Sequence, residues 1–455
     1  MKSLPNELLL SIASHLAAEA PSVNKFAREP TAELTCCTET PLKELSLVSW
    51  RWRKIVLPLL FHYSRIPLDP NPQWVPIDAR ILDNMQGQLT KLSMHEFQIW
   101  KRMKSKFKTT GADSAFDEAF DDVLINLCRV EDDDEFLKSL PQVLWFPHLP
   151  KGFASFVRFM QQYDLKHHVK NIVVYTDTEY KLRHVATADA PLARAVREIW
   201  DHIFSSLDPA RVVIAAPPGT LSGLLDTQML STDAWAFDMK MHYIEFSQHD
   251  PERSTHRNKG CRPWDNALVH RKPWTHLAYN EGSSVTAYST YEYHLKQSPK
   301  MLYLTLLRLA KEVQSCCNIT SFSFVGVFPF STNMDRVYSA LKKIPTLRDI
   351  QVQLAPGPEN DLLSTSKNIG RAQASDLWLE WSRCYDGIVG LLLEVGDGAK
   401  LVSKDCGEEK MTKEVEEYIG TLKERGQGWR QNGVGVWIRD STLDREVISA
   451  EPVQE

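Results

Sequence analysis

Apolar residues recur about every four positions near the start of the chain, and this spacing predicts short amphipathic helices. The first apolar stripe consists of Leu4, Leu8, Ile12 and Leu16. A second stripe consists of Leu45, Val48, Trp52, Ile55 and Leu59. A module of this size has few residues for a core of its own, so it is expected to need a partner or the rest of the chain.

Prolines set the expected limits of these helices. Pro5 suits a first helical turn, where its missing N–H costs nothing. Pro58 is expected to break or kink the second helix. Residues 17–41 hold three prolines and show no clean periodicity, so we predict that they form an insertion that loops out of the module.

The pattern changes from about residue 166, where short strand-like runs alternate with amphipathic helices. The predicted strands are residues 172–175, 212–214, 242–246, 322–324, 350–354 and 434–438. The predicted helices cover residues 192–207, 337–344, 377–392 and 415–422. A helix that leads into a strand, repeated several times, predicts an α/β fold with a parallel sheet. The wide gap before residue 322 has room for one or two more units, near residues 285–288.

Irregular spacing between these units leaves two architectures open. A degenerate solenoid similar to leucine-rich repeats, with large insertions, fits best and is our prediction, and an ordinary closed α/β domain is the competing architecture. Residues 67–165 are interpreted as a mostly helical linker region, with a helix over about residues 81–107. The charged residues within 101–108 and 117–135 are interpreted as solvated surface.

Charge and composition narrow the classes of function. The net charge of −5 argues against a general nucleic-acid binder, and no apolar run is long enough to span a bilayer. The start of the chain lacks the apolar region of a signal peptide. Eight cysteines without C-x-x-C spacing indicate reduced thiols, as expected in the cytoplasm or the nucleus.

A search for catalytic or metal-binding motifs favours a protein without chemistry of its own, and no cofactor is expected. Residues 219–223 place their serine one position late for a nucleophile elbow. The segment 249–276 is rich in His, Arg and Trp, but the wide spacings of its His and Cys make metal binding a remote alternative. We interpret it either as an insertion that presents these side chains to a partner or as an ordinary insertion whose tryptophans pack on the body.

Three sequence blocks near the start of the chain together resemble an F-box. They are Leu-Pro-Asn-Glu-Leu-Leu at residues 4–9, Leu-Lys-Glu-Leu-Ser-Leu-Val-Ser-Trp-Arg-Trp-Arg at residues 42–53, and Pro-Leu-Leu-Phe at residues 58–61. The resemblance covers residues 1–66, departs from the usual pattern in the insertion at 17–41, and is to F-box proteins of the fungal type. It implies adaptor-binding or module-packing roles for Leu4, Pro5, Leu8, Ile12, Leu45, Val48, Ser49, Trp52, Arg53 and Leu59.

What the resemblance implies is a substrate receptor of an SCF-type cullin–RING ubiquitin ligase. Residues 1–66 would bind a Skp-family adaptor, and residues 166–455 would form a repeat-like α/β region that recognises a target protein. The alternative is a non-catalytic scaffold that uses the F-box without delivering substrates. A cryptic enzyme in the α/β region is the third hypothesis, and it predicts a deep polar pocket.

Overall fold

The computed structural model describes most of the chain outside residues 72–146 and several shorter segments. The described residues are 4–17, 19–36, 40–71, 147–180, 190–227, 241–248, 267–289, 293, 298–312, 318–357, 362, 369, 371–407 and 409–444. The predicted helix at 81–107, the charged runs within 101–135 and most of the segment 249–276 lie outside them.

In the described part of the chain, α-helices precede the strands and connect most of them. They are α1 (Asn6–His15), α2 (Pro21–Asn24), α3 (Pro41–Val48), α4 (Trp50–Leu60), α5 (Phe153–Gln162), α6 (Ala190–Ser206), α7 (Pro218–Leu224), α8 (Leu268–Arg271), α9 (Met301–Glu312), α10 (Ser331–Leu341), α11 (Ala374–Leu392) and α12 (Glu409–Glu424). Short 3₁₀ turns cover Ala32–Thr35, Lys166–His168, Val285–Ser289 and Ser441–Leu443.

Ten strands form one sheet. They are β1 (Tyr63–Pro67), β2 (Asn171–Tyr175), β3 (Arg211–Ala216), β4 (His242–Ser247), β5 (His276–Ser283), β6 (Ser321–Val327), β7 (Asp349–Gln353), β8 (Lys400–Ser403), β9 (Trp429–Gln431) and β10 (Val436–Arg439). The first eight lie side by side in chain order, followed by β10 and then β9. Strand β4 is antiparallel to both of its neighbours, and so is β10.

The main core lies between one face of this sheet and the helices from α5 onward. Alternate strand residues such as Ile172, Ile214 and Phe324 are fully buried in it together with Trp200 of α6 and Tyr385 of α11. The burial of these large apolar side chains is the main favourable contribution to the free energy of folding. Each of these helices packs on the sheet through its apolar side, as the period-3.6 pattern of apolar residues predicts.

The prediction of an α/β fold is confirmed, and the prediction of a repeat solenoid is not. The predicted strands at 172–175, 212–214, 242–246, 322–324, 350–354 and 434–438 correspond to β2, β3, β4, β6, β7 and β10. They belong to a single mixed sheet, in which the reversed β4 interrupts the parallel order that a regular repeat array requires. The gap before residue 322 holds β5, and residues 285–289 form a 3₁₀ turn after it.

Two features at the start of the chain differ from the expectations. Pro58 lies inside the last turn of α4, and the helix continues to Leu60. Since β1 begins at Tyr63, the last residues of the predicted 1–66 module are already part of the main sheet. The end of α4 also enters the main core through Leu57, and Phe61 lies 5.5 Å from Phe159 of α5, measured between ring centroids. The N-terminal helices are therefore anchored directly on the sheet.

The insertion at 17–41 does not loop out as predicted. Its residues 19–36 lie across the second face of the sheet, and we call them the insertion segment. Asn280 of β5 donates from Nδ2 to the carbonyl oxygens of Phe26 (2.6 Å) and Arg28 (2.8 Å). The hydroxyl of Tyr243 on β4 donates to the carbonyl of Thr31 at 2.6 Å. Because these bonds satisfy the polar backbone of the segment, it can lie on a buried sheet surface.

A small core under the insertion segment explains its position. Leu34 is buried against Val173, Val213 and Tyr243, which point away from the helices on β2, β3 and β4. Arg211 adds a polar connection, since its Nη2 donates to the carbonyl of Ser22 at 2.8 Å. The apolar residues on the second face of these strands are thus covered by the insertion.

Candidate partner-binding surface

Helices α1, α3 and α4 build a small core between them. Leu9 and Ala13 of α1 and Trp52 and Val56 of α4 are buried together with Leu42 of α3. Leu4, Leu45, Ile55 and Leu59 pack partly buried against this core. Because these positions use the inward side of each helix, the remaining apolar residues are left on the outside.

The outward apolar residues are strongly exposed. Leu8, Ile12 and Leu16 form a stripe along α1, and Leu8 is 51% exposed. At the junction of α3 and α4, Leu47, Val48 and Trp50 are 73%, 66% and 69% exposed. We call these six residues the apolar surface. Grouped exposed apolar side chains of this size are typical of protein–protein interaction sites.

Arg51 brings the two halves of the apolar surface together. Its Nε donates to Asn6 Oδ1 at 2.9 Å, and its guanidinium also donates to the carbonyl of Leu4. Residues 4–6 precede or begin α1, whereas Arg51 lies in the first turn of α4. The start of α1, which carries Leu8 in its first turn, is therefore held beside the α3–α4 junction.

Ser49 separates what the sequence predicted as one helix. Its backbone is extended (φ −163°, ψ 162°), and its hydroxyl accepts a hydrogen bond from the backbone N–H of Trp52 at 3.3 Å. Ser49 is thus the N-cap of α4, where serine is strongly preferred. The turn at Ser49 leaves Val48 exposed and directs Trp52 into the core.

We expect Ser49→Ala to lower the free energy of unfolding by about 1 kcal/mol, because the cap hydrogen bond to α4 is lost. Ser49→Asp keeps an acceptor at the same place and serves as the matched control, with stability close to that of the natural chain. Urea unfolding followed by circular dichroism measures both variants. Equal stability of the Ala and Asp variants would contradict the capping role.

The ten predicted adaptor-site residues divide into three groups. Pro5, Leu8, Ile12, Val48 and Ser49 are exposed. Leu4, Leu45, Arg53 and Leu59 are half-buried, and Trp52 is buried. Pro5 is the N-cap of α1 and precedes the helix. Arg53 stacks over Tyr163 of the sheet body, with Cζ 5.6 Å from the ring centroid.

The sequence stripe predicted helicity but did not separate the inner face from the outer face. Leu47 and Trp50, two of the most exposed members of the apolar surface, fell outside both predicted stripes. The signal that could have found them is the sequence Leu-Val-Ser-Trp itself, in which a capping serine interrupts the helix between apolar residues.

A second surface lies on the sheet beyond the insertion segment. Alternate residues of β6, β7 and β8 that point away from the helices are mainly polar and half-buried or exposed: Ser321, Asp349, Gln351, Gln353 and Lys400. Gln351 Nε2 donates to Ser323 Oγ at 3.1 Å, which fixes its amide across the strands. We call these positions the polar sheet face.

Two buried titratable groups lie at the same edge of the sheet, one late in β5 and one at the first residue of the antiparallel β4. Burial raises the pKa of Glu281, at the end of β5, to about 8, and burial lowers the pKa of His242, on the neighbouring β4, to about 3. His242 Nδ1 is 2.7 Å from the hydroxyl of Tyr279. Both groups are fully enclosed, so the described side chains place them in the core and not in an open polar pocket.

The structure also places Ser222 and part of the segment 249–276, which the sequence offered as candidate functional residues. Ser222 lies inside α7, and its hydroxyl donates to the carbonyl of Thr227 at 2.6 Å, which makes it a structural residue. Among the described residues, no group of three or more His, Cys, Asp or Glu side chains is arranged to hold a metal ion. Of the predicted insertion 249–276, Trp274 is buried and donates from Nε1 to the carbonyl of Leu268 at 3.0 Å.

The part of the chain that the structure describes contains no helix with the length and apolarity needed to cross a bilayer.

Comparisons with known proteins add no relative: no family model, no curated protein and no solved structure matches the chain.

Proposed function

We propose that this protein is a substrate-recognition subunit of an SCF-type cullin–RING ubiquitin ligase, in the cytoplasm or the nucleus. The N-terminal helices would dock on a Skp-family adaptor, and the sheet body would hold a target protein. The observation that carries the proposal is the apolar surface, which leaves Leu8, Val48 and Trp50 exposed although the same helices have a filled core. The F-box resemblance of residues 4–61 supports the same role.

The exposed stripe has the form that a helical partner can cover. Leu8, Ile12 and Leu16 are four residues apart and lie along one side of α1. Docking of such a stripe into a groove relies on apolar residues at helical spacing. Trp50 is a residue type enriched at the energetic centre of interfaces. Burial of these side chains by an adaptor would supply the free energy of binding.

The polar sheet face is the surface that we assign to the target protein. Strands β1 to β8 succeed one another in chain order, which is also the order of strands in a leucine-rich-repeat array. Ser321, Gln351 and Gln353 offer hydroxyl and amide groups, and Asp349 and Lys400 offer both signs of charge. Recognition there would bring target lysines close to the conjugating enzyme, which raises their effective concentration.

The decisive variant is Leu8→Asp/Val48→Asp, which places two charges on the apolar surface. We expect the purified natural chain to bind the purified adaptor at about micromolar concentration, and the double variant to bind at least about tenfold more weakly, since the charges cannot be desolvated in the complex. Both positions are more than half exposed, so the melting temperature should be nearly unchanged. Isothermal titration calorimetry measures the affinity.

Val434→Asp is the matched control for this experiment. Val434 is also apolar and 71% exposed, but it lies between β9 and β10 at the far end of the sheet. Its variant should bind the adaptor as the natural chain does. The proposal fails if the natural chain shows no binding, or if the Leu8/Val48 variant and the control bind equally well.

A scaffold that binds the adaptor without delivering a substrate is the second candidate. It shares the apolar surface and therefore the first experiment. Reconstituted ubiquitination of interactors captured by proximity labelling separates the two functions. Ubiquitin transfer to a captured protein that requires this chain supports the substrate receptor, and binding without transfer supports the scaffold.

A further inference from the structure

A cavity lies where the N-terminal helices, the insertion segment and the sheet meet. Its volume is about 430 Å³, within the range of small-molecule sites. Leu16 and Leu59 line it from the ends of α1 and α4, Pro21 and Leu34 from the insertion segment, and Val173 from β2. The cavity is distinct from the apolar surface, with which it shares only the side chain of Leu16.

The walls of the cavity are mainly apolar. Leu34 and Leu42 are buried side chains with one side on the cavity, and Val173 forms part of the sheet wall. An apolar wall of this kind favours a hydrocarbon or aromatic ligand part, because such a part gains about 25 cal/mol for each Å² removed from water.

The polar residues of the cavity give it a positive rim. The cations Lys43 and Arg65 line it together with the imidazole of His62, and a single carboxylate, that of Glu19, is also present. Arg65 is held at this place because its Nη1 donates to the carbonyl of Thr35 at 3.2 Å. The guanidinium has further N–H donors, which suit a carboxylate.

Groups just behind the rim add to the positive potential. Lys170 is one of them: the pKa of His62 is lowered first by burial and then by the charge of Lys170, so His62 itself is neutral near pH 7. A site with this potential attracts anions and disfavours cations. The combination of apolar walls and a cationic rim defines the ligand class.

We propose that this cavity binds a small amphipathic anion of the medium-chain carboxylate class. The hydrocarbon part would lie against Leu34, Leu42 and Val173, and the carboxylate would lie at Arg65 and Lys43. Because the walls come from three parts of the chain, a bound ligand would stabilise the arrangement of the N-terminal helices on the sheet. The inference is independent of adaptor binding and stands or falls separately from it.

Octanoate is the probe, with octylammonium and octanol as charge controls of equal chain length. Calorimetric titration of the full chain should show octanoate binding below about 1 mM, and saturating octanoate should raise the melting temperature, since a ligand that binds only the folded state stabilises it. Octylammonium and octanol should each bind at least about tenfold more weakly.

Charge-reversal variants locate the site. Lys43→Glu/Arg65→Glu should weaken octanoate binding at least about tenfold. The milder Lys43→Glu, at an exposed position, should weaken it in the same direction if the double variant loses stability. Lys54→Glu reverses an exposed charge on α4 outside the cavity lining and should leave the affinity unchanged.

Three outcomes would overturn the proposal. They are the absence of octanoate binding up to about 5 mM, equal binding of octanoate and octylammonium or octanol, and full affinity in both cavity variants. The adaptor titration with the natural chain is performed without octanoate, so its outcome does not depend on this site.

Discussion

Asp405→Ala is expected to lower the free energy of unfolding by about 3–5 kcal/mol, the largest effect of any single substitution considered. Asp405 follows β8 and is fully buried, and its two carboxylate oxygens accept four hydrogen bonds. Oδ1 accepts from the backbone N–H groups of Leu354 (2.8 Å) and Ala355 (3.0 Å). Oδ2 accepts from Trp381 Nε1 (3.1 Å) and the Tyr385 hydroxyl (2.8 Å).

The size of this effect follows from what the substitution leaves behind. Alanine would leave three donors buried without their acceptor, namely the backbone N–H groups of Leu354 and Ala355 and Trp381 Nε1, and each such donor carries a desolvation penalty. The Tyr385 hydroxyl would keep Ser403 Oγ, 2.7 Å away, as its partner. Burial raises the pKa of Asp405, whereas the four hydrogen bonds oppose that shift by stabilising the charged form. The carboxylate therefore connects the ends of β7 and β8 to α11, and its loss loosens that end of the sheet.

Chemical denaturation of the full chain measures the Asp405 effect. Asp405→Asn keeps the side-chain shape and one acceptor oxygen, so its loss of stability should lie between those of the natural chain and the Ala variant. Asp349→Ala removes an exposed carboxylate from the neighbouring strand β7 and should change stability by less than about 0.5 kcal/mol. A loss below about 1 kcal/mol for Asp405→Ala would contradict the connecting role.

Glu281 is expected to make the protein less stable as the pH rises from about 6.5 to about 8. Burial raises the pKa of this carboxyl to about 8 in the folded state, from its ordinary value of 4.5. In that range the folded state holds a proton that the unfolded state has released, so the free energy of unfolding falls as the pH increases. The expected loss is roughly 2 kcal/mol over this range, at 1.36 kcal/mol for each pH unit.

The range starts at about pH 6.5 because His242 does not contribute to the pH dependence of stability above that value. The pKa of His242 is lowered to about 3 by burial, so its contribution to stability is lost as the pH falls from about 6.5 toward 3. The two groups thus act in opposite directions between about pH 4.5 and 6.5. Above pH 6.5, Glu281 acts without His242.

Glu281→Gln tests this dependence, because the amide does not ionise. The variant should be more stable than the natural chain at pH 8, and the difference between them should shrink toward pH 6.5. Glu198→Gln, at an exposed position of α6, is the control and should follow the natural chain at every pH. Denaturant unfolding at pH 6.5, 7.25 and 8 gives the three curves. A Gln variant with the same pH dependence as the natural chain would refute the role of Glu281.

Several elements of the body were predictable from local pattern. The run Ile172-Val173-Val174-Tyr175 is a strand, and the apolar stripe from Leu377 to Leu392 lies in α11. Both follow from periodicity, because a buried strand or helix face needs apolar residues at its own spacing. The strand β1 was missed because its sequence, Tyr-Ser-Arg-Ile-Pro, has a single aliphatic residue and leads into a proline-rich stretch.

The candidate partner-binding surface shows the limit of that reasoning. Periodicity predicted helices around Leu8 and Val48, and the outward direction of both residues depends on how α1 and α3 pack on α4. Leu9 and Ala13 compete with Leu8 and Ile12 for the inner side, and the sequence contains both pairs. The buried pair is selected by contacts with Trp52 and Val56, which are distant in the chain.

The sequence by itself determined an α/β protein with an N-terminal helical module, because hydrophobic periodicity reflects local geometry that each segment carries alone. Only the tertiary structure decided that the insertion covers β2 to β5, that β4 runs in reverse, and that a cavity lies beside β1. Each of these depends on pairs of residues far apart in the chain, such as Asn280 with Phe26 or Tyr243 with Thr31. Such pairs leave no periodic pattern, because a single long-range hydrogen bond or packing contact constrains only one residue in each segment.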